Sequence, residues 1–114
     1  MKRVVITGLG MLTPLACGVE ATWRRLIEGR SGLDTIRNFD ATHLPCRIAG
    51  EVPKGEGEFD PDDWVPAKDR RKIDRFITYA LVAAEQAIVD AGWRPGPADS
   101  EALERTGVMI GSGI

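Results

Sequence analysis

The sequence has few of the residue types that most often build catalytic and metal sites. Its 114 residues include one histidine, His43, and two cysteines, Cys17 and Cys46. The spacing of the cysteines fits neither a zinc knuckle nor a CxxC redox motif, so we interpret them as buried or incidental thiols. His43 lies in a turn-like segment, residues 40–45, and we expect it to be exposed. One histidine cannot build a Cys-His-His site, and we expect no metal and no cofactor.

Long apolar runs and a large net charge are also missing. The formal net charge is −2, and 28% of the residues are charged. No apolar run approaches the ~20 residues that cross a bilayer. The N-terminus lacks the apolar core and the cleavage site of a signal peptide. We therefore expect a cytoplasmic protein without a nucleic-acid or membrane partner.

The apolar pattern that is present predicts an α/β fold. Residues 3–7 and 106–110 are short apolar runs bounded by glycine, which is typical of buried parallel strands. Residues 19–28 and 73–91 have helical periodicity, and Gly29 and Gly92 are predicted to be their C-caps. Residues 100–105 predict a further helical turn. This order of elements indicates a parallel sheet with covering helices.

Residues 30–66 interrupt this pattern and predict a surface excursion. The segment is rich in Gly, Pro and Asp, and residues 51–63 carry six acidic residues against Lys54 alone. Three aromatic residues, Phe39, Phe59 and Trp64, predict anchors that a disordered linker lacks. A short strand is expected at residues 48–52.

Two glycine motifs resemble ligand-binding turns without fulfilling their patterns. Gly8-Leu9-Gly10 follows a predicted strand, but Thr13 stands where the dinucleotide fingerprint needs glycine or alanine, and Pro14 interrupts the following helix. We interpret these glycines as a tight turn at a packed strand end.

The second glycine motif is Gly111-Ser112-Gly113. A hydrolase elbow needs glycines two residues on either side of the serine, where Ile110 and Ile114 stand, so Ser112 is not predicted to be catalytic. We expect these glycines to pack closely around a ligand channel.

A basic cluster, residues 68–75, precedes the longest predicted helix. Five basic and two acidic residues give it a net charge of +3 in an otherwise acidic chain. Cations at a helix N-terminus are disfavoured by roughly 0.3–1 kcal/mol through the helix dipole, and Asp69 is predicted to be a compensating N-cap. The cluster is either a solvated face or a docking surface for an anionic partner.

The ordered motifs resemble one family, the β-ketoacyl-acyl carrier protein synthases, and especially the type II elongating synthase. The resemblance covers the whole chain. It is carried by Arg3-Val-Val-Ile-Thr-Gly-Leu-Gly-Met-Leu-Thr-Pro14, Thr22-Trp23, Gly29-Arg-Ser-Gly32, Asp69-Arg-Arg-Lys-Ile-Asp-Arg-Phe76 and Ile110-Gly-Ser-Gly-Ile114.

The resemblance implies a thiolase-like fold, a five-layered αβαβα sandwich of two similar halves, in a homodimer. Residues 1–114 would be an incomplete N-terminal portion of the first half. The implied reaction condenses an acyl group, held on an active-site cysteine, with malonyl-acyl carrier protein and releases carbon dioxide. The family's Cys-His-His set has no counterpart here, so no catalytic residue is assigned. A polyketide ketosynthase or a non-catalytic chain-length-factor relative remains an alternative.

The resemblance implies two binding roles within this chain. Lys68, Arg71 and Lys72 match the family's docking patch for the acidic acyl carrier protein. Ile114, with Gly111 and Gly113, matches the gate through which the acyl chain enters its pocket. An independent binding module is not expected, because two predicted strands do not complete the family's sheet.

Overall fold

A computed structural model describes residues 2–55 and 58–113. No helix in these ranges is long and apolar enough to cross a membrane. Along the chain the elements are α1 (Val19–Ile27), β1 (Leu33–Thr35), β2 (Ile48–Gly50), a 3-10 helix (Pro61–Asp63), α2 (Ala67–Arg70), α3 (Arg75–Asp90) and α4 (Ser100–Glu104).

The three predicted helical segments are confirmed, and both predicted glycine caps are present. Gly92 follows α3 in the left-handed conformation, with φ of +62°. Its N–H donates to the carbonyl of Val89 at 3.0 Å, and the N–H of Trp93 donates to Ile88 at 3.1 Å. This pair of bonds is the Schellman motif, which satisfies carbonyls at a helix end. Gly29, with φ of +68°, ends α1 in the same conformation.

The sheet seen in the described residues is an antiparallel hairpin of β1 and β2, inside the predicted excursion. Leu33 pairs with Gly50, and Thr35 pairs with Ile48. β2 confirms three residues of the strand expected at 48–52, whereas β1 was not predicted. Its short sequence, Leu-Asp-Thr, has too little alternation to indicate a strand.

The two predicted parallel strands are wrong for the described chain, because residues 3–7 and 106–110 pair with no strand there. Their apolar side chains are exposed, with Val4 at 95% and Met109 at 98%. Strand structure requires backbone hydrogen bonds to a neighbouring strand, which no local apolar pattern supplies. The predicted parallel sheet is therefore not formed by these residues.

The segment after residue 7 lies on α3 instead. The N–H of Leu9 donates to Asp90 Oδ2 at 2.9 Å, and the N–H of Met11 donates to Gln86 Oε1 at 2.9 Å. Polar side chains on one face of α3 thus satisfy backbone donors that a sheet would otherwise use.

Gly8 and Gly10 permit this close contact. A Cβ on Gly8 would lie 2.2 Å from the carbonyl oxygen of Ala87, and one on Gly10 would lie 1.9 Å from that of Ala83. Neither glycine has a positive φ. The predicted tight turn is therefore wrong, and the glycines serve backbone-to-backbone packing against the alanine face of α3.

The small core joins the excursion to α3. Phe59 is 2% exposed, and its ring meets Tyr79 edge-on, with centroids 5.6 Å apart. Val65 and Val82 are buried as well. Phe59 is therefore confirmed as an anchor, whereas Phe39 is 57% exposed and that prediction is wrong. Trp64 remains partly exposed.

Candidate functional site

The sequence predicts that the basic cluster begins the long helix, but only its last member, Arg75, does so. The other four basic residues occupy the separate single-turn helix α2 and the turn that follows. Lys68 lies in α2, Arg71 is the C-cap residue that follows it, and Lys72 lies in the turn before α3. All three side chains are exposed.

The N-cap predicted at Asp69 is wrong, because Asp69 lies inside α2. α3 begins after Asp74, whose extended backbone has φ of −76° and ψ of 162° and separates the two helices. The side chain of Asp74 makes no capping hydrogen bond to α3. Asp74 therefore offsets the helix dipole only through its charge, and not through a capping hydrogen bond.

Local backbone bonds explain why the chain makes this extra turn. Pro66 restricts the backbone at the start of α2, and its carbonyl accepts from the N–H groups of Asp69 at 2.9 Å and Arg70 at 3.1 Å. The N–H of Lys72 then donates to Asp69 at 3.0 Å. The turn therefore continues past α2 and includes Arg71 and Lys72.

Arg70 is separated from the rest of the cluster. Its Nη2 donates to Asp62 Oδ1, on the 3-10 helix, and its side chain is only 26% exposed. Within residues 2–55 and 58–113, none of Lys68, Arg71 and Lys72 forms an ion pair. The structure thus divides the five basic residues of the cluster into one with an internal partner, Arg70, and four that are exposed.

The predicted acyl-gate residues are not assembled into a pocket by the described residues. Gly111 and Gly113 lie in an exposed segment, and a Cβ on either would have no atom within 4 Å. The close packing expected around these glycines is therefore not formed here. Ile114 lies outside the described residues, and its acyl-contact role stays a prediction.

The surroundings of Cys17 do not favour a nucleophile. Cys46 is exposed, and Cys17 is partly buried beside α3. Burial raises the pKa of the Cys17 thiol, an effect that the hydrogen bond from Gln86 Nε2, at 3.5 Å, only partly offsets. A reactive cysteine requires the opposite shift, toward the thiolate. No group of His, Cys, Asp and Glu in the described ranges is arranged to hold a metal ion.

Sequence reasoning missed an ion pair that ties α1 to the excursion. Arg25 Nη2 lies 2.5 Å from Glu58 Oε1, and Arg25 Nη1 lies 3.1 Å from Glu58 Oε2. Arg25 also donates to the carbonyl of Leu15. The Glu58 carboxylate holds the pKa of Arg25 above its ordinary value. The acid-rich segment was the only sequence signal for this contact, and it did not identify the partner.

The whole chain matches a known protein family. The family model described as "Beta-ketoacyl synthase, N-terminal domain" matches residues 1–114. The chain therefore belongs to the β-ketoacyl synthase family, and it corresponds to the N-terminal domain of that family.

The chain is also similar in sequence to individual synthases of this family. The chain is 47% identical to 3-oxoacyl-[acyl-carrier-protein] synthase 2 of Rhizobium meliloti, over the whole chain and 27% of that protein. It is 45% identical to the mitochondrial 3-oxoacyl-[acyl-carrier-protein] synthase of Arabidopsis thaliana, over 99% of this chain and 27% of that protein. The chain thus spans about a quarter of the length of these curated relatives.

A solved structure shares the fold. The structure titled "The ishigamide ketosynthase/chain length factor" superposes with a TM-score of 0.68 at 38% identity, over 82% of this chain and 22% of that one. The described residues therefore have a thiolase-like ketosynthase fold, as the sequence predicted at this coarser level.

Proposed function

We propose that this chain is the N-terminal part of a 3-oxoacyl-acyl carrier protein synthase that elongates fatty acids. The observation that carries the proposal is the match over all residues to a synthase of that name at 47% identity. The protein would adopt the five-layered αβαβα sandwich as a homodimer. It would act in the cytoplasm, and residues 2–55 and 58–113 give it no membrane-spanning helix.

In the proposed reaction an enzyme cysteine first accepts the acyl group as a thioester. Malonyl-acyl carrier protein then loses carbon dioxide, and the resulting carbanion attacks the acyl carbonyl carbon. A carbon–carbon bond forms, the cysteine leaves as a thiolate, and the chain is longer by two carbons. Neither Cys17 nor Cys46 is assigned to this step, and His43, which is exposed, has no part in it.

This chain would contribute the surface that receives the acyl carrier protein. Lys68, Arg71 and Lys72 are exposed within a few residues of one another, and none is paired with an acid in the described part of the chain. Carrier protein is acidic in this family, so a cluster of unpaired cations would favour its approach and orientation. The remaining contribution would be the acyl gate, at Ile114 with Gly111 and Gly113.

Charge reversal tests the docking role. In the complete enzyme, Arg71→Glu with Lys72→Glu should raise the KM for an acyl-carrier substrate at least about tenfold, because two attractive contacts become repulsive. The rise should be much smaller for a small acyl thioester that lacks the carrier. Steady-state kinetics on both substrates measure the ratio.

The matched control reverses two cations beyond the other end of α3, Arg94→Glu with Arg105→Glu. Both are exposed, and in the described part of the chain each forms a surface ion pair. Such pairs contribute about 0–1 kcal/mol. This variant carries the same change in net charge. An equal rise in KM in the control and the test variant would contradict a localised docking surface.

A second candidate function is that of a non-catalytic chain-length-factor subunit in a polyketide system. It is favoured by the structural likeness to a ketosynthase/chain length factor at a TM-score of 0.68. A polyketide ketosynthase is the related catalytic alternative. The residue at the nucleophile position of the complete protein separates the chain-length factor from both condensing enzymes, since a condensing enzyme requires cysteine there and a chain-length factor lacks it.

A further inference from the structure

An ion pair between Asp62 and Arg70 joins the 3-10 helix to α2, which carries part of the basic cluster. Asp62 lies on the 3-10 helix Pro61–Asp63, and Arg70 is the last residue of α2. The 3-10 helix is itself fixed by Asp60, whose Oδ1 accepts from the N–H of Asp62 at 2.8 Å. Arg70 therefore contacts a carboxylate whose backbone is already held in place.

α2 has little to stabilise it alone. It is four residues long and has no side-chain N-cap, and isolated helices of this length do not persist in water. The contact from Arg70 to Asp62 is a side-chain link from α2 to the element before it. Arg70 is also the least exposed of the cluster's basic side chains, with a buried Nε that has no partner among residues 2–55 and 58–113. Its guanidinium is thus turned toward the protein.

We infer that the Asp62–Arg70 pair is a positioning device, which orients α2 so that Lys68, Arg71 and Lys72 face the carrier protein. Arg70 and Arg71 are adjacent in sequence but have opposite environments, one paired and partly buried, the other exposed. An Arg70 side chain that is held against the protein sets the rotation of α2 about its axis. That rotation determines the directions in which Lys68, Arg71 and Lys72 point. The inference rests on the proposed docking function.

The direction in which Asp62→Asn changes the KM for the carrier substrate distinguishes a positioning role from a charge effect. Asp62→Asn removes a negative charge next to a surface that attracts an acidic partner. Charge alone would lower the KM for the carrier substrate, since the local field becomes more positive. Loss of positioning would raise that KM, by about twofold to fivefold for a pair of this exposure.

Asp63→Asn is the matched control. Asp63 is the next residue on the same 3-10 helix, is exposed, and forms no ion pair within the described ranges. Its substitution makes the same charge change without removing the link to α2. We expect its KM for the carrier substrate to stay unchanged or fall, and its activity on a small acyl thioester to stay unchanged.

The double variant Asp62→Asn with Arg70→Gln restores the wild-type net charge. Charge alone predicts a wild-type KM for it, whereas a positioning role predicts the raised KM of Asp62→Asn. Arg70→Lys keeps a charge at the site but loses the planar fork of the guanidinium, so it should raise KM less than Arg70→Gln. In all these variants kcat on a small acyl thioester should change less than KM for the carrier substrate.

The outcomes are distinct in the complete enzyme. A raised KM in Asp62→Asn and in the double variant, but not in Asp63→Asn, supports the inference. A KM at or below wild type in Asp62→Asn overturns it, while the docking proposal stands if reversal at Arg71 and Lys72 still raises KM. If that reversal has no effect on KM, both the docking proposal and this inference are wrong.

Discussion

Gly8 and Gly10 contact successive turns of α3. Two residues of extended chain advance about 6.6 Å, and four residues of α-helix advance about 6 Å. Alternate residues of the segment therefore meet the helix at successive turns, Gly10 at Ala83 and Gly8 at Ala87. A glycine-x-glycine motif opposite an alanine stripe is thus a packing device, although it resembles a nucleotide-binding motif in sequence.

Gly10→Ala should destabilise the protein. Its Cβ would lie 1.9 Å from a backbone oxygen of α3, which no change of rotamer relieves. Displacing the segment would also strain the hydrogen bond from Met11 to Gln86. We expect the free energy of unfolding to fall by about 1–3 kcal/mol, the usual cost of overpacking. Chemical denaturation of the complete protein measures the change.

Gly96→Ala is the control for this substitution. A Cβ on Gly96 would meet only Asp99 Oδ2, at 3.7 Å, which is ordinary van der Waals contact. Gly96 also lacks a positive φ. Its substitution should leave the free energy of unfolding within about 0.5 kcal/mol of wild type. If Gly10→Ala were as mild as this control, the close backbone contact with α3 would be disproved.

Helix α3 offers a test at the scale of an element. Gly92 ends α3 at φ of +62°, and a Cβ there would have nothing within 4 Å. Any cost of Gly92→Ala therefore comes from backbone conformation rather than from a clash. We expect a loss of about 1–2 kcal/mol in the free energy of unfolding, because L-residues disfavour the left-handed region.

Gly92→Asn tests whether the left-handed backbone conformation determines the cost of adding a side chain at this position. Asparagine tolerates the left-handed region better than alanine, although it is larger. Thermal unfolding of the two variants should therefore rank asparagine above alanine. The reverse order would show that the Schellman turn does not determine the cost at this position.

The elements differ in how well the sequence predicts them, and the difference follows from where their contacts lie. α1, α3 and α4 were predicted because helical bonds join residues four apart, and α1 and α3 also end at glycine caps. The strands at residues 3–7 and 106–110 were wrong because strand pairing depends on segments far along the chain. β1 was missed since its partner, β2, lies on the far side of an irregular loop.

The candidate site shows the same limit. Exposure of Lys68, Arg71 and Lys72 was predictable, since charged side chains remain in water unless they are paired. The inward turn of Arg70 was not, because it depends on Asp62, eight residues earlier, on a helix that the acid-rich segment did not indicate. The family resemblance led to the prediction that Lys68, Arg71 and Lys72 are docking residues, and the structure shows that Arg70 is instead paired with Asp62.

At the scale of the whole molecule, the chain is more open than a self-contained domain. Its radius of gyration is 17.2 Å, whereas a compact chain of this length has about 13 Å. Its accessible surface is 9301 Å², compared with about 6,100 Å² for a folded monomer of this mass. Val4 and Met109, in the predicted strands, are among the most exposed apolar residues. These two segments have the sequence of buried strands without a covering layer.

The 114 residues alone should therefore not behave as a stable monomer. We expect the isolated chain to lack a cooperative thermal transition by circular dichroism, to bind an apolar dye and to self-associate in sedimentation. Val4→Lys with Met109→Lys should reduce association by charging both unpaired segments, because charged side chains suppress edge-to-edge pairing. A monomeric chain with a sharp transition would instead mean that these segments are ordinary surface. An independent binding module would then regain support.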